Sequence, residues 1–328
     1  AHIEDDVKFA EFTQILYFPT DLLNIERGVT TFAGTKLASF EMTKEGLCYL
    51  DEIHIGANTN LTNWCTIMPG TRLSPKTMIG SLTLIVPDTV SKDTNRVLLG
   101  IPAREMPFVL VDTTSFVDGL SSSSNSVSMH TLMFNCLHFF LYKSAFIILY
   151  LSLPVAFSPL LHIMIVCVVY RFSIAIRNKR TQFTFSEVIN CSQQFFRLWM
   201  FDFFIFVGPY LSGTQFLVFF YRALGAQIGC DVILPHISCL TDPDLATIGD
   251  HVRLQRGAHV QCHTFEQRVL KFAPVNVNHS SVLMNNTLVL SGAILHGRNR
   301  ILPWTLVMKN DQLPPNTNWS GVPAQQIL

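Results

Sequence analysis

From Ile55 onward an aliphatic residue returns at every sixth position: Ile55, Leu61, Ile67, Leu73, Ile79 and Ile85. Four residues after each stands a small or β-branched one, namely Thr59, Cys65, Thr71, Thr77, Thr83 and Thr89. An α-helix cannot line these up, because six steps turn it by about 600° and scatter the set around the axis. A three-sided parallel coil can. Each hexad makes one flat side, the aliphatic residue fills the interior, and the small residue fits near a corner. The pattern predicts an all-β left-handed parallel β-helix, with clean hexads from about residue 55. Weaker hexads near Ile25 and Leu37 do not fix where it begins.

A second array opens at Ile228, Leu234 and Leu240 and breaks at TDPDLAT. It resumes at Ile248, Leu254 and Val260 and breaks again through EQRVLKFAPVN. It then runs through Val277, Leu283, Val289, Leu295, Ile301, Val307 and Leu313, with small partners including Ser238, Ala258, Thr264, Thr287 and Thr305. Register survives both breaks, so each is an insertion looping out of a solenoid face, where such folds carry function. GIPAREM at 100–106 and GVPAQQI at 321–327 close the two arrays alike, a glycine and a proline turning the chain away. The chain therefore holds two copies of one module.

Between the arrays lie the polar linker DGLSSSSNSVS and two apolar runs, Thr131 to Leu153 and Val155 to Phe172. The first is long enough for a hydrocarbon core of ~30 Å, which takes about 20 residues. Arg171, Arg177, Lys179 and Arg180 follow and mark the cytoplasmic side. A transmembrane hairpin over 131–172 is expected, with Lys143 facing a partner helix or Asp202, or reaching toward an interface. The next apolar stretch, split by Gly208, Pro209 and Gly213, reads as short pieces at the membrane surface. GTQFLVFFYRALGAQIG reads as an amphipathic helix capping the coil, whose open end would expose unpaired strand edges. The expected division is a first module over 1–110, a linker over 111–129, membrane and capping helices over 130–223, and a second module over 224–328.

Composition agrees with a membrane segment: 49% of residues are apolar and 14% charged, against about 25% charged in soluble domains. The expected location is integral to a membrane, with both modules on its cytoplasmic side. Zero net charge without a basic run argues against nucleic acid as the partner. The 8 cysteines are scattered without a CxxC pair, which fits reduced thiols and no metal site. The opening AHIEDDVKFAEF has neither an initiator methionine nor a signal-peptide pattern and reads as a piece of a longer polypeptide.

The order of β-helix, apolar hairpin, SGTxFLxxxYRxLGAxIG, then TDPDLATIGDHVRLQRGAHVQCHTFEQRVLK and LVMKNDQLPPNTNWSGVPA, resembles one family. It is similar to the membrane-embedded C-terminal region of epsilon-poly-lysine synthetase and related nonribosomal peptide synthetases. The likeness is best over 209–328. Asn285, Asn286 and Arg298 stand where family hexads often have glycine. The resemblance implies tandem acyltransferase-like modules behind adenylation and carrier domains, taking an aminoacyl group from a phosphopantetheine thioester and forming an amide.

Residues 255–271, QRGAHVQCHTFEQRVLK, gather the polar candidates. Val260 points inward, so Gln261 to His263 lie outside, while Glu266, Arg268 and Lys271 belong to the excursion. Amide formation needs a base for the attacking amine, and an imidazole suits this near neutral pH. His263 is the candidate base. Glu266 is placed to orient the imidazole or bind an ammonium group, and Arg268 or Lys271 to hold a carboxylate or phosphate. Asp242 and Asp244 are candidates for the substrate ammonium, against their ordinary use as turn residues. His54 stands isolated, so the first module reads as degenerate or structural. A stand-alone coenzyme-A-dependent acetyltransferase and a non-catalytic trimeric scaffold are the alternatives. The sequence leaves open a homotrimer or an internal pseudo-trimer.

Overall fold

The structure is a computed structural model that describes residues 1–9, 20–32, 34–38, 40–87, 93–107, 208–266 and 269–327, with parts of 144–171 and the strand Gln182–Thr184. It divides into two compact units, one built on Ala1–Thr113 with Ser320–Gln325, the other on Thr114–Trp319 with Gln326–Leu328. The expected linker and most of the apolar hairpin over 131–172 lie outside the described residues. Among those described, no helix is long and apolar enough to cross a membrane.

In the first unit three sheets run side by side, parallel except at their outer end. Ile55 stands opposite Leu73, Leu61 opposite Ile79 and Ile67 opposite Ile85. Each partner is eighteen positions on, so three hexads make one turn of a triangular coil. All six aliphatic markers are fully buried, as are Thr59, Cys65 and Thr71 at the corners. Asn58, Trp64, Lys76 and Leu82 turn those corners in left-handed backbone, with φ of 57°, 55°, 59° and 57°. Such a conformation costs an ordinary side chain roughly 1–2 kcal/mol, so the stacked hexads must hold it in place.

The weak upstream hexads belong to the same coil. Ile25 stands opposite Ile55 and Leu37 opposite Ile67, thirty positions apart, twelve more than a plain turn. The extra residues form an antiparallel hairpin, with Glu41 opposite Tyr49 and Met42 opposite Cys48. Sequence periodicity missed it because neither strand carries the sixfold signal.

The second unit repeats the plan. Val277, Leu295 and Leu313 stack eighteen apart. Ile228 meets Ile248 at twenty, and Ile248 meets Val277 at twenty-nine. TDPDLAT therefore adds two residues and the second break adds eleven. Leu234 to Leu313 fill the interior. Ser238 and Thr264 depart from the corner role expected of them: Cys239 is buried beside the exposed Ser238, and Thr264 belongs to a projecting hairpin. Adjacent coils approach closely at Gly249, where an added Cβ would lie 2.6 Å from the backbone nitrogen of His279.

A helix over Gln215–Leu224 leads into this coil and ends on Gly225. It buries Leu217, Val218, Phe220, Tyr221 and Leu224. Arg222 then donates to the carbonyls of Ile228 and Gly229, at 3.1 and 2.7 Å, tying the cap to the first strand. Phe216 and Phe219 remain exposed on its outer side.

The second hairpin, His263–Glu266 with Val269–Phe272, leaves the coil at the same corner as the first. Leu37 and Val260 each end a third side, and Ile53 and Val275 each open the next first side. Thr264 opposite Lys271 and Phe265 opposite Leu270 take the places of Glu41 opposite Tyr49 and Met42 opposite Cys48. Short 3-10 turns, Thr20–Leu22 and Pro243–Leu245, likewise precede equivalent strands. The duplication thus includes both insertions. One difference stands out: Gln182–Thr184 adds a third, antiparallel strand to Val269–Phe272, whereas the first hairpin has two strands among the described residues.

Candidate active site

The two insertions of the second unit meet at one corner. Leu240 bridges to Val260, so Asp242, two beyond Leu240, stands beside the residues two and three beyond Val260. Pro243 starts the 3-10 turn that the two extra residues make room for. Tyr221, buried in the capping helix, donates to the carbonyl of Ile237 and fixes the approach to this segment. Burial pushes the Tyr221 phenol well above its ordinary pKa, which keeps it a donor.

His263 opens the hairpin, paired across it with Phe272, whose ring meets the imidazole edge-on at 6.0 Å. Its Nδ1 lies 2.6 Å from Asp242 Oδ2. The side chains are 21% and 13% exposed, dry enough to strengthen the contact and open enough for a substrate to arrive. A carboxylate at Nδ1 selects the tautomer with the proton there, which leaves Nε2 with its lone pair. Nε2 makes no hydrogen bond among the described residues. The pair can accept a proton at Nε2 and stabilise the resulting imidazolium against Asp242.

The remaining candidates fall in three places. Asp242 is not a free ammonium-binding group: it is the carboxylate at the imidazole, the place for which Glu266 was considered. Glu266 bonds to Lys271 at 3.0 Å and to Lys309. Its partial burial favours the neutral acid, but the two ammonium groups outweigh that and hold its pKa below the ordinary value. Lys309 lies at the same corner two coils on, so this cluster straps the hairpin down. Asp244 accepts a hydrogen bond from the buried Tyr170 hydroxyl at 2.6 Å. Arg268 lies outside the described residues. Sequence reasoning missed the Asp242–His263 contact, although the coil length around TDPDLAT carried it.

A second polar group occupies the preceding corner. His236 accepts a hydrogen bond from the Gly257 backbone at Nε2, 3.1 Å away, so in the neutral ring its Nδ1 donates to Ser238 Oγ at 2.8 Å. His259 donates from Nδ1 to the Ser238 carbonyl at 2.9 Å. Burial, with His236 beside it, lowers the His259 pKa to about 4. These rings are neutral hydrogen-bonding groups of the wall.

The first unit has the hairpin without the pair. Phe40 stands where His263 does, three residues past the last interior position, and Pro19 takes the place of Asp242 in the sequence. His54 is not isolated: its Nε2 lies 3.0 Å from Glu26 on the adjacent coil. That contact crosses a strand face and involves no insertion.

The fold and this corner define a duplicated hexapeptide-repeat coil whose second copy sets a histidine–carboxylate pair where its two insertions meet. No protein-family model matches the chain. Over 115 residues, 35% of its length, it is 36% identical to delta-poly-L-ornithine synthetase of Acinetobacter baumannii. The chain spans 9% of that protein's length. Among solved structures it is similar to a hexapeptide-repeat-containing acetyltransferase of Vibrio cholerae complexed with acetyl coenzyme A. The TM-score is 0.29 and the identity 16%, over 34% of this chain and 74% of that one. The same enzyme in another crystal structure gives 0.26 and 16% over 34% and 77%. Overlap at these TM-scores does not extend to site geometry.

Proposed function

We propose that the second unit transfers an acyl or aminoacyl group from a thioester to an amine, with His263 as general base and Asp242 as its positioning carboxylate. His263 Nε2 takes the proton of the amine as its nitrogen attacks the thioester carbonyl. The tetrahedral adduct then collapses, the carbon–sulfur bond breaks, and the departing thiolate takes the proton back from the imidazolium. The chain's own groups supply only proton transfer and positioning, and the thioester arrives on its carrier. That carrier is a phosphopantetheine arm of a carrier domain, or coenzyme A, and the step uses no metal.

The single observation behind this reading is the 2.6 Å contact between His263 and Asp242. Similarity to a poly-ornithine synthetase supports the amide-forming class, and adenylation and carrier domains are the partners that this reading requires. Exposed Phe216, Phe219 and Tyr210 at the capping end support membrane attachment there, and the basic cluster Arg171, Arg177, Lys179 and Arg180 is the ground for placing the modules on the cytoplasmic side. A homotrimer and an internal pseudo-trimer are both compatible with this reading, and light scattering on the solubilised protein distinguishes them.

The test supplies aminoacyl thioesters on a carrier protein or on pantetheine, adds the detergent-solubilised chain, and identifies amides by mass spectrometry. Product formation that needs His263 supports the proposal. Product formed equally by a His263→Ala protein sinks it.

A further inference from the structure

Asp242 immediately precedes the 3-10 turn Pro243–Leu245, and its carbonyl accepts the Leu245 backbone N–H at 3.0 Å. Within the turn, Asp244 accepts the Tyr170 hydroxyl at 2.6 Å, the short distance of a charge-assisted bond. Tyr170 is 5% exposed and stands near the end of the second apolar run. Its neighbour Arg171 donates to the Ala223 carbonyl at 2.9 Å. Ala223 lies in the last turn of the capping helix, which itself packs on Pro243–Leu245. Tyr170 and Arg171 therefore grip both the turn and the helix beside it.

The first unit supplies an internal comparison. Counted back from Leu23 and Ala246, which open equivalent sides, Asp21 matches Asp244 in the turn Thr20–Leu22. Asp21 is exposed, so this turn forms with its carboxylate in water and needs no phenol to fold. The copy in which a buried phenol holds the carboxylate is the copy that carries the Asp242–His263 contact. We propose that Tyr170 is a positioning residue: its hydroxyl holds the Asp244 carboxylate, which fixes the turn and keeps Asp242 against His263. A 3-10 turn has poor hydrogen-bond geometry, whereas a proton-transfer pair has to be held within about 0.5 Å. The phenol ties the middle residue of the turn to a second element. In its effect on rate this inference rests on the proposed acyl transfer; the contact that Tyr170 maintains does not.

The test follows the His263 Nδ1–H by NMR in the full detergent-solubilised chain with nitrogen-labelled histidine, the signal being assigned by its loss in His263→Ala. Exchange of that proton with water reports how firmly Asp242 is held. Tyr170→Phe keeps the ring and removes the hydroxyl, and should speed the exchange about 10-fold, as for losing one hydrogen bond to a charged group. Asp244→Ala should do the same, and the double variant should be no faster than either single one, since the two residues are partners in one contact. Asp21→Ala should leave the exchange unchanged. With a carrier-bound aminoacyl thioester, kcat should fall about 10-fold in Tyr170→Phe while KM stays within about two-fold. Unchanged Nδ1–H exchange in Tyr170→Phe, or effects of the two substitutions that add, would overturn the proposal. Faster exchange in a chain whose wild type makes no amide would strike the acyl-transfer reading and leave the positioning role standing.

Discussion

Asp242 and Glu266 divide two tasks that the sequence could not separate. Asp242 faces the imidazole, and Glu266 faces two lysines. Asp242→Asn should therefore slow amide formation by about 10²-fold, within the range for losing effective general-base catalysis, with thermal stability little changed. Glu266→Gln should leave turnover within a few-fold but speed amide hydrogen exchange across Val269–Phe272, because the strap is released. Reversed effects in paired rate and exchange measurements would exchange the roles. His259 gives a pH prediction. Burial holds its pKa at about 4, below the ordinary value, so the fold favours the neutral ring. The associated stability is complete above about pH 6.5 and is lost as pH falls toward 4. Denaturation midpoints at pH 7 and pH 5, for wild type and His259→Gln, should show a pH dependence that the variant reduces.

The hexads were legible because buried stacking leaves one aliphatic residue per side. Their core explains the stability expected of single positions. Leu283 is fully buried between strands of neighbouring coils, and Leu283→Ala should cost about 2–5 kcal/mol in denaturant unfolding. Gly249→Ala should also destabilise, since its new methyl would press on the His279 backbone. A neutral result at both sites would show that the coils are not packed in this register. The hairpins were not legible as strands. Their residues alternate over only four positions, and the pairing that defines them is read from coil length. Ile25 and Leu37 looked like poor hexads because a hairpin's worth of residues separates them from the next turn. The Asp242–His263 contact was hidden for the same reason: two residues of TDPDLAT change which positions stack.

The described residues form two solenoid copies that have kept one architecture and diverged at one corner. The second copy places His263 and Asp242 there, whereas the first places Phe40 where His263 stands and has Pro19 in the matching sequence position. Under the proposed function the chemistry belongs to the second hairpin, while the first leaves Leu47 and Cys48 exposed. Fold class could be read from periodicity alone, whereas the proposed membrane attachment rests on composition and on exposed aromatics at the cap. The decisive measurement compares amide formation from a carrier-bound aminoacyl thioester by wild type and by His263→Ala, both with intact circular dichroism and equal melting temperatures. The variant should lose about 10²–10⁴-fold in rate, the usual contribution of a positioned base. An unchanged rate would mean that the corner built by His263 and Asp242 does no acyl transfer.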